Sequence, residues 1–173
     1  MAEELFDVVD DQDRVIQSLP RSEVHRRKLL HRAVHVLVFR TDGSMLIHKR
    51  SASKEEFPSV WTSSCSGHVS AGESYDETAP RELFEELGIT ATIVRRRKFW
   101  ACADTSFEFT MLYTAVCDDE INPDFGEMTE VRWMNAADIL SWMTMSPDDF
   151  SPAFRLLFMS TQDDGVAAAM DGS

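Results

Sequence analysis

Three glutamates, Glu82, Glu85 and Glu86, are spaced by three and four residues in the stretch TAPRELFEELGI. On a helix, at about 100° per residue, this spacing sets three carboxylates side by side on one face. Charges so placed repel by a few tenths of a kcal/mol per pair unless a cation sits among them. Clustered hard oxygen ligands favour magnesium or manganese over softer metals. An ion held there would neutralise phosphate oxygens and lower the pKa of bound water, whose proton a nearby carboxylate could accept. The chemistry these residues suggest is hydrolysis of a diphosphate. The plain alternative is a solvated acidic helix face. Against it weigh GHVSAGE, a flexible stretch just before the helix, and Arg81, which can grip a carboxylate through two parallel N–H groups.

Gly67, Glu73 and the run from Arg81 to Ile89 fill every position of G-x5-E-x7-R-E-U-x-E-E-x-G-U, where U is aliphatic. Residues 67–89 therefore resemble the Nudix box, and the chain is identified as a member of the Nudix family. The resemblance implies an α/β fold, an α/β/α sandwich with a mixed sheet. It implies magnesium, or manganese, held by Glu82, Glu85, Glu86 and the carbonyl of Gly67. Glu73 and Arg81 would brace the loop and orient the acids, Gly88 would end the helix, and Glu86 or Glu82 would take the proton from water. The catalytic set is then Glu82, Glu86 and Arg81.

From His31 to Met159 the chain also resembles type-I isopentenyl-diphosphate isomerase, a Nudix-fold enzyme that shifts a double bond. That resemblance implies that Arg50 and Lys54 bind the diphosphate, and that His31, His68 and Glu108 stand where the isomerase binds metal. A further ligand histidine is displaced by one position, at His25 with Val24 in register. Ser66 aligns with the catalytic cysteine, with Cys65 one residue early, and Thr110 aligns with the essential glutamate. On a strand a one-residue shift turns a side chain to the other face. Losing both proton-transfer groups disables a reaction that moves one proton on and another off. The reading is a hydrolase acting on a nucleoside diphosphate derivative or a related organic diphosphate. The alternatives are an isomerase-like enzyme and a non-catalytic diphosphate-binding module. Glu127 and Glu130 lie where many Nudix enzymes supply a further ligand or base from a loop.

The elements that position these residues follow from pattern. ELFDVVD and RVIQSL read as an N-terminal hairpin, and PRSEVHRRKLL as a short helix opened by proline. Asp-Gly in TDGS joins two further strands, and VWTSSCS reads as another. Ser74 to Leu87 reads as a helix, with Ser74 and Glu77 as its capping box and Ala79, Leu83 and Leu87 at fourfold spacing. Pro80 inside it predicts either a kink or a regular part starting near Thr78 with proline in its first turn, the second being favoured. Strands follow at ATIVRRRKFWACA, FEFTMLYTAVC and EVRWM, then helices around NAADILSWM and SPAFRLLFM. Trp61, Phe99, Trp100 and Phe107 read as core, and His35 and His48 as structural. The domain call is a hairpin and short helix over 1–30, a Nudix domain over 31–160, and a flexible tail over 161–173.

With 17 basic and 30 acidic residues among 173, the formal charge is -13. That balance argues against nucleic-acid and membrane-surface partners, and RRRK reads as a charge-balancing patch. The expected partner is a small-molecule diphosphate, with a homodimer admitted through the N-terminal hairpin. Cys65, Cys102 and Cys117 lack metal or redox spacing, which with the absence of a leader-like segment gives a cytoplasmic expectation.

Overall fold

The computed structural model describes residues 3–163. The hairpin β1 (Leu5–Val9) and β2 (Val15–Pro20) leads into α1 (Arg21–Arg27), which starts directly after Pro20. Then come β3 (His31–Phe39), β4 (Met45–Arg50), β5 (Trp61–Thr62), β6 (Cys65–His68), α2 (Tyr75–Leu87), β7 (Ile93–Phe99), β8 (Glu108–Val116), β9 (Met128–Met134), α3 (Ala136–Met145) and α4 (Pro152–Asp163). The main sheet runs β5-β4-β3-β8-β7, with β6 paired to β3 and β9 to β4. It is mixed, since β3 and β8 are parallel and the other pairs antiparallel. The tail expected over 161–173 begins inside α4, and its residues 164–173 lie outside the described residues.

Strand alternation sorts the sheet into two faces. Val34, Val36 and Val38 of β3, with Phe109, Met111 and Tyr113 of β8, pack under Leu83 and Leu87 of α2. Leu37, Phe39 and Leu112 point the other way, into a core with Ile139, Phe154 and Phe158 of α3 and α4. Helices on both faces of a mixed sheet make an α/β/α sandwich. Burial of each of Leu83 and Leu87 contributes roughly 1.5–3 kcal/mol to holding α2 on the sheet.

Only Phe39 and Met45 pair between β3 and β4, so these strands diverge soon after their turn. The stretch expected as one strand, VWTSSCS, is two. Trp61–Thr62 pairs with β4, and Cys65–His68 pairs with β3. Ser63 and Ser64 make the change of partner. Ser64 accepts the Val38 N–H at 2.8 Å and donates to the Leu46 carbonyl at 2.6 Å, while Ser63 bonds His35 and the Cys65 carbonyl.

The helix carrying the acids runs from its expected cap at Ser74 to Leu87, without the later regular start near Thr78 that Pro80 suggested. Ser74 caps it with both halves of the capping box formed, and regular structure begins at Tyr75, not near Thr78. Pro80 thus sits inside the helix, on an exposed position, where it offers no N–H to the Asp76 carbonyl. Gly88 closes the helix at φ 68°, a left-handed conformation that glycine adopts without strain, donating to the Phe84 carbonyl at 2.9 Å.

Two further expectations are corrected. Trp100 is 65% exposed, edge-on to Phe109, because it lies one residue past the end of β7; Trp61 is buried as expected. In RRRK a bulge between Arg95 and Arg97 breaks the alternation. Arg95 meets Asp76 and Lys98 meets Asp13, in keeping with charge balancing.

Candidate functional site

The acidic wall is organised by one arginine. Arg81 donates from Nε to Glu73 Oε1 at 2.9 Å and from Nη2 to Oε2 at 2.8 Å, a two-pronged contact that fixes both side chains. Its Nη1 reaches Glu82 at 2.7 Å and Glu85 at 3.1 Å. Glu73 also receives Thr78 Oγ1 and the Ser70 N–H, so it ties the entering loop to the helix. Arg81 holds the Glu73 carboxyl below the usual range.

Burial acts the other way on the acids beyond it. Glu82 is pushed up to about 7 by burial, only partly offset by Arg81. Glu86 is buried and is pushed up to about 8, first by burial and then by the charge of Glu82. It accepts the Ser66 N–H at 3.2 Å. Glu85 is more than half exposed at the rim. Gly67 lacks a side chain where one would run into the Glu82 carboxylate, so backbone and acid close on each other. Buried acids that resist ionising, with the Gly67 backbone closing on Glu82, fit a divalent cation held among Glu82, Glu85 and Glu86 at Gly67.

These residues line a cleft of about 320 Å³ together with Arg50, Lys54 and Glu127. Arg50 turns Nε and Nη2 to the carbonyls of Glu56 and Phe57, fastening the loop after β4, and its Nη1 has no hydrogen-bond partner among the described residues. Lys54 is ion-paired with Glu127. The loop bearing Glu127 is moored to the end of α2, where Asn122 N–H caps the Leu87 carbonyl and Asp124 N–H caps that of Glu86. Glu130 does not join them. It pairs with Arg132 and lies outside the cleft lining, so the candidate role is withdrawn for it.

A second wall is built of imidazoles. His25, His31 and His68 offer ring nitrogens that all lie within 4.8 Å of one another. Glu108 meets His68 Nε2 at 2.9 Å and stands 3.5 Å from His31 Nε2, an ion-pair distance at which no hydrogen bond forms. Burial would raise the Glu108 carboxyl, but the two histidines hold it well below the usual range. For His31, burial pulls down and Glu108 outweighs it, so its pKa rises. His25 shifts down, through burial and its histidine neighbours. Phe6 of β1 stacks on His68 with ring centroids 4.6 Å apart. The buried Nε2 atoms of His25 and His31 have no hydrogen-bond partner among the described residues, which fits a cation bound by nitrogen.

His25 itself is a correction to the alignment. The one-position displacement does not remove it, because α1 turns Val24 into the core with Phe6 and Val8 and leaves His25 beside the other two rings.

Residues 29–154 match the NUDIX domain family. The chain belongs to the Nudix family. Among its relatives, an isopentenyl-diphosphate Delta-isomerase of Nocardia farcinica is 33% identical over 84% of this chain and 87% of that one. An uncharacterized Nudix hydrolase of Pseudomonas aeruginosa is 35% identical over 76% of this chain and 78% of its own. The crystal structure of DR0079 from Deinococcus radiodurans superposes with a TM-score of 0.74 at 25% identity, covering 82% of this chain and 90% of that one.

Within this Nudix chain the strand β6 shows what the one-residue shift at Cys65 means. Cys65 pairs with Val36 and is fully buried in the core under α2, where burial pushes its thiol up. Ser66 pairs with His35 and lines the cleft. Thr110 lies two residues along β8 from Glu108, on the same face. The cleft therefore holds neither a thiol at 66 nor a carboxylate at 110. His35 and His48 are buried and hydrogen-bonded to Ser63 and the Ser64 carbonyl, in keeping with structural roles.

Glu4, Arg21 and Asp124 also line the cleft and were not singled out from sequence. Arg21, at the first position of α1, carried a signal: it stands one helical turn before His25. Glu4 and Asp124 arrive on irregular backbone and carried none.

Proposed function

We propose that the protein hydrolyses a diphosphate linkage in a nucleoside diphosphate derivative or a related organic diphosphate, with magnesium or manganese as cofactor. The observation that carries the reading is the pairing of a complete set of box acids at the cleft with Ser66 and Thr110 where an isomerase needs its proton-transfer pair. Glu82, Glu85 and Glu86, with the Gly67 carbonyl, would hold the ion. When bound, it neutralises phosphate oxygens and acidifies water.

The chain's own groups do the rest. Glu73 and Arg81 keep the acids in one arrangement. Lys54 and Nη1 of Arg50 face the diphosphate, and Arg21 adds positive charge at the same cleft. Water oxygen forms the new bond to phosphorus as the bridging P–O bond breaks. The water's proton passes to a carboxylate, for which Glu86 and Glu82 are the candidates, and the bridging oxygen leaves on the departing phosphate. Burial and the charge of Glu82 push the Glu86 pKa up to about 8, and a bound cation would favour the ionised form that accepts a proton.

A magnesium-dependent screen over nucleotide sugars, dinucleotides, coenzyme A, nucleoside triphosphates and isoprenoid diphosphates tests this. At least one is expected to be cleaved, and Glu86→Gln to lose at least about a hundredfold in rate. Turnover unchanged in the variant would sink the role of Glu86.

A second reading, isomerisation of isopentenyl diphosphate, is favoured by the imidazole wall and by the isomerase-named relatives. Incubation with isopentenyl diphosphate and NMR detection of a shifted double bond would overturn the hydrolase reading in its favour.

A further inference from the structure

The N-terminal hairpin is joined to the loop that leads into the acidic wall. β1 runs beside that loop, where Phe6 bridges across to Ser70 and the Leu5 carbonyl accepts the Ala71 N–H at 2.8 Å. Three acidic side chains of the same segment then hold residues between Ser70 and the start of α2. Glu4 accepts the Ser70 hydroxyl at 2.7 Å, Asp7 accepts the Gly72 N–H at 2.9 Å, and Asp13 accepts the Tyr75 hydroxyl at 3.0 Å. Asp13 is itself held by Arg32 of β3 at 2.6 Å and by Lys98 of β7.

Of the three, Asp7 has the most leverage. Ser70 to Glu73 make a tight turn closed by the Glu73 N–H on the Ser70 carbonyl at 3.0 Å, with Gly72 third in it at a φ of 83° that suits glycine. Inside such a turn the N–H of the third residue meets no acceptor. Asp7 supplies one from outside. Its side chain is buried and its other oxygen takes the Ser18 hydroxyl at 2.6 Å, which holds the acceptor in one orientation. An N–H bond to a carboxylate is about twice as strong as a neutral one. The next residue, Glu73, holds Arg81 with both oxygens, and Arg81 in turn contacts Glu82 and Glu85.

We propose that Asp7 is a positioning residue for the acidic wall: through Gly72 it fixes the direction from which Glu73 grips Arg81, and so the places of Glu82 and Glu85. The proposal rests on the metal-binding reading of those acids above. It makes the hairpin a working part of the site instead of an extension packed against it. A tilt of the turn passes straight to Glu73, because Gly72 and Glu73 share one planar peptide unit. A contact that only stabilised the fold would behave differently. Its loss would lower the melting temperature and leave the acids where they are.

Magnesium titration of the full chain by calorimetry, with the Arg81 Nε–H resonance followed by NMR, tests this in three variants. Asp7→Ala is expected to weaken magnesium binding by about tenfold, the scale for groups that orient metal ligands, and to broaden the Arg81 resonance as the grip of Glu73 loosens. Asp7→Asn keeps an oxygen for the Gly72 N–H and offers its amide to Ser18, so both readouts should return to within about twofold of the wild type. Val24→Ala hollows the core between the hairpin and α1 and spares the bond to Gly72, so it should lower the melting temperature and move magnesium affinity by less than about twofold. Affinity unchanged in Asp7→Ala, or lowered as far in Val24→Ala, overturns the positioning role while the metal reading stands. A wild type that binds no magnesium sinks the metal reading. The Arg81 resonance then decides the positioning role by itself, and a signal unchanged in Asp7→Ala overturns it.

Discussion

The two walls of the cleft solve the same problem, holding charge in a confined space, in opposite ways. On α2 the acids come from little more than one helical turn; Arg81 pairs with Glu82 and Glu85 but not with Glu86, and burial makes Glu82 and Glu86 resist ionising. The imidazole wall draws His25 from α1, His31 from β3, His68 from β6 and Glu108 from β8, and there the carboxylate is held ionised by its neighbours. The acidic wall thus holds carboxyls that resist ionising, whereas in the imidazole wall Glu108 is held ionised while the Nε2 atoms of His25 and His31 have no hydrogen-bond partner among the described residues. The difference teaches that neighbouring charge decides whether a buried carboxylate resists ionisation, as Glu82 and Glu86 do, or is held ionised, as Glu108 is.

The sharpest way to break this contrast is to remove one member of each wall. Glu86→Gln is expected to cost at least about a hundredfold in magnesium-dependent turnover, and His31→Ala less than about tenfold, with loss of manganese binding at the imidazoles read by calorimetry. Equal losses in turnover would mean the walls act as one site.

Gly67→Ala probes the acidic wall more finely. The added methyl meets the flexible end of Glu82, which can swing aside, so the melting temperature should hardly move. Turnover should fall by about tenfold as that carboxylate leaves its position. A large drop in melting temperature would place the role of Gly67 in folding instead.

The contrast also has a pH signature in metal-free protein. Glu86 has a folded pKa raised to about 8, so its stabilising protonated form is fully present below the unfolded carboxylate value and is lost as pH rises through about 8. His35 and His48 are held down at about 4, so their contribution is present above the unfolded histidine value near 6.5 and is lost as pH falls through about 4. Urea unfolding at pH 5 and pH 8 should show Glu86→Gln gaining on the wild type by a few kcal/mol as pH rises. A constant difference would contradict the burial of a reluctant acid. The smallest effect belongs to Glu130→Gln, expected to change kcat/KM by less than about twofold, because that side chain pairs with Arg132 away from the cleft.

Much of the acidic wall was legible in sequence because its geometry is local. A capping box, a helical period and a terminal glycine place Glu82, Glu85 and Glu86 without knowledge of the rest of the chain. The capping box placed the start of α2 at Ser74, and only the later regular start near Thr78 overweighted Pro80, which the helix accommodates at an exposed position. The imidazole wall was legible only in part. His31 and His68 fall on regular strands, but His25 depends on how α1 rolls against β1, and sequence spacing does not report a roll. Glu127 and Glu130 sit in similar company along the chain. The bulge where β9 pairs with Arg50 and the competing Arg132 separate them, and neither is a local signal.

Ser63 and Ser64 deserve a last consequence. They occupy the step where the chain leaves β4 for β3, and their hydroxyls lock that step to His35, Val38 and Leu46. An insertion or deletion of one residue there would rotate β6 by one position and trade the Ser66 hydroxyl for the Cys65 thiol at the cleft. In evolutionary terms the scaffold lies a single slip from presenting a nucleophile, and two serines guard the register that keeps it from doing so.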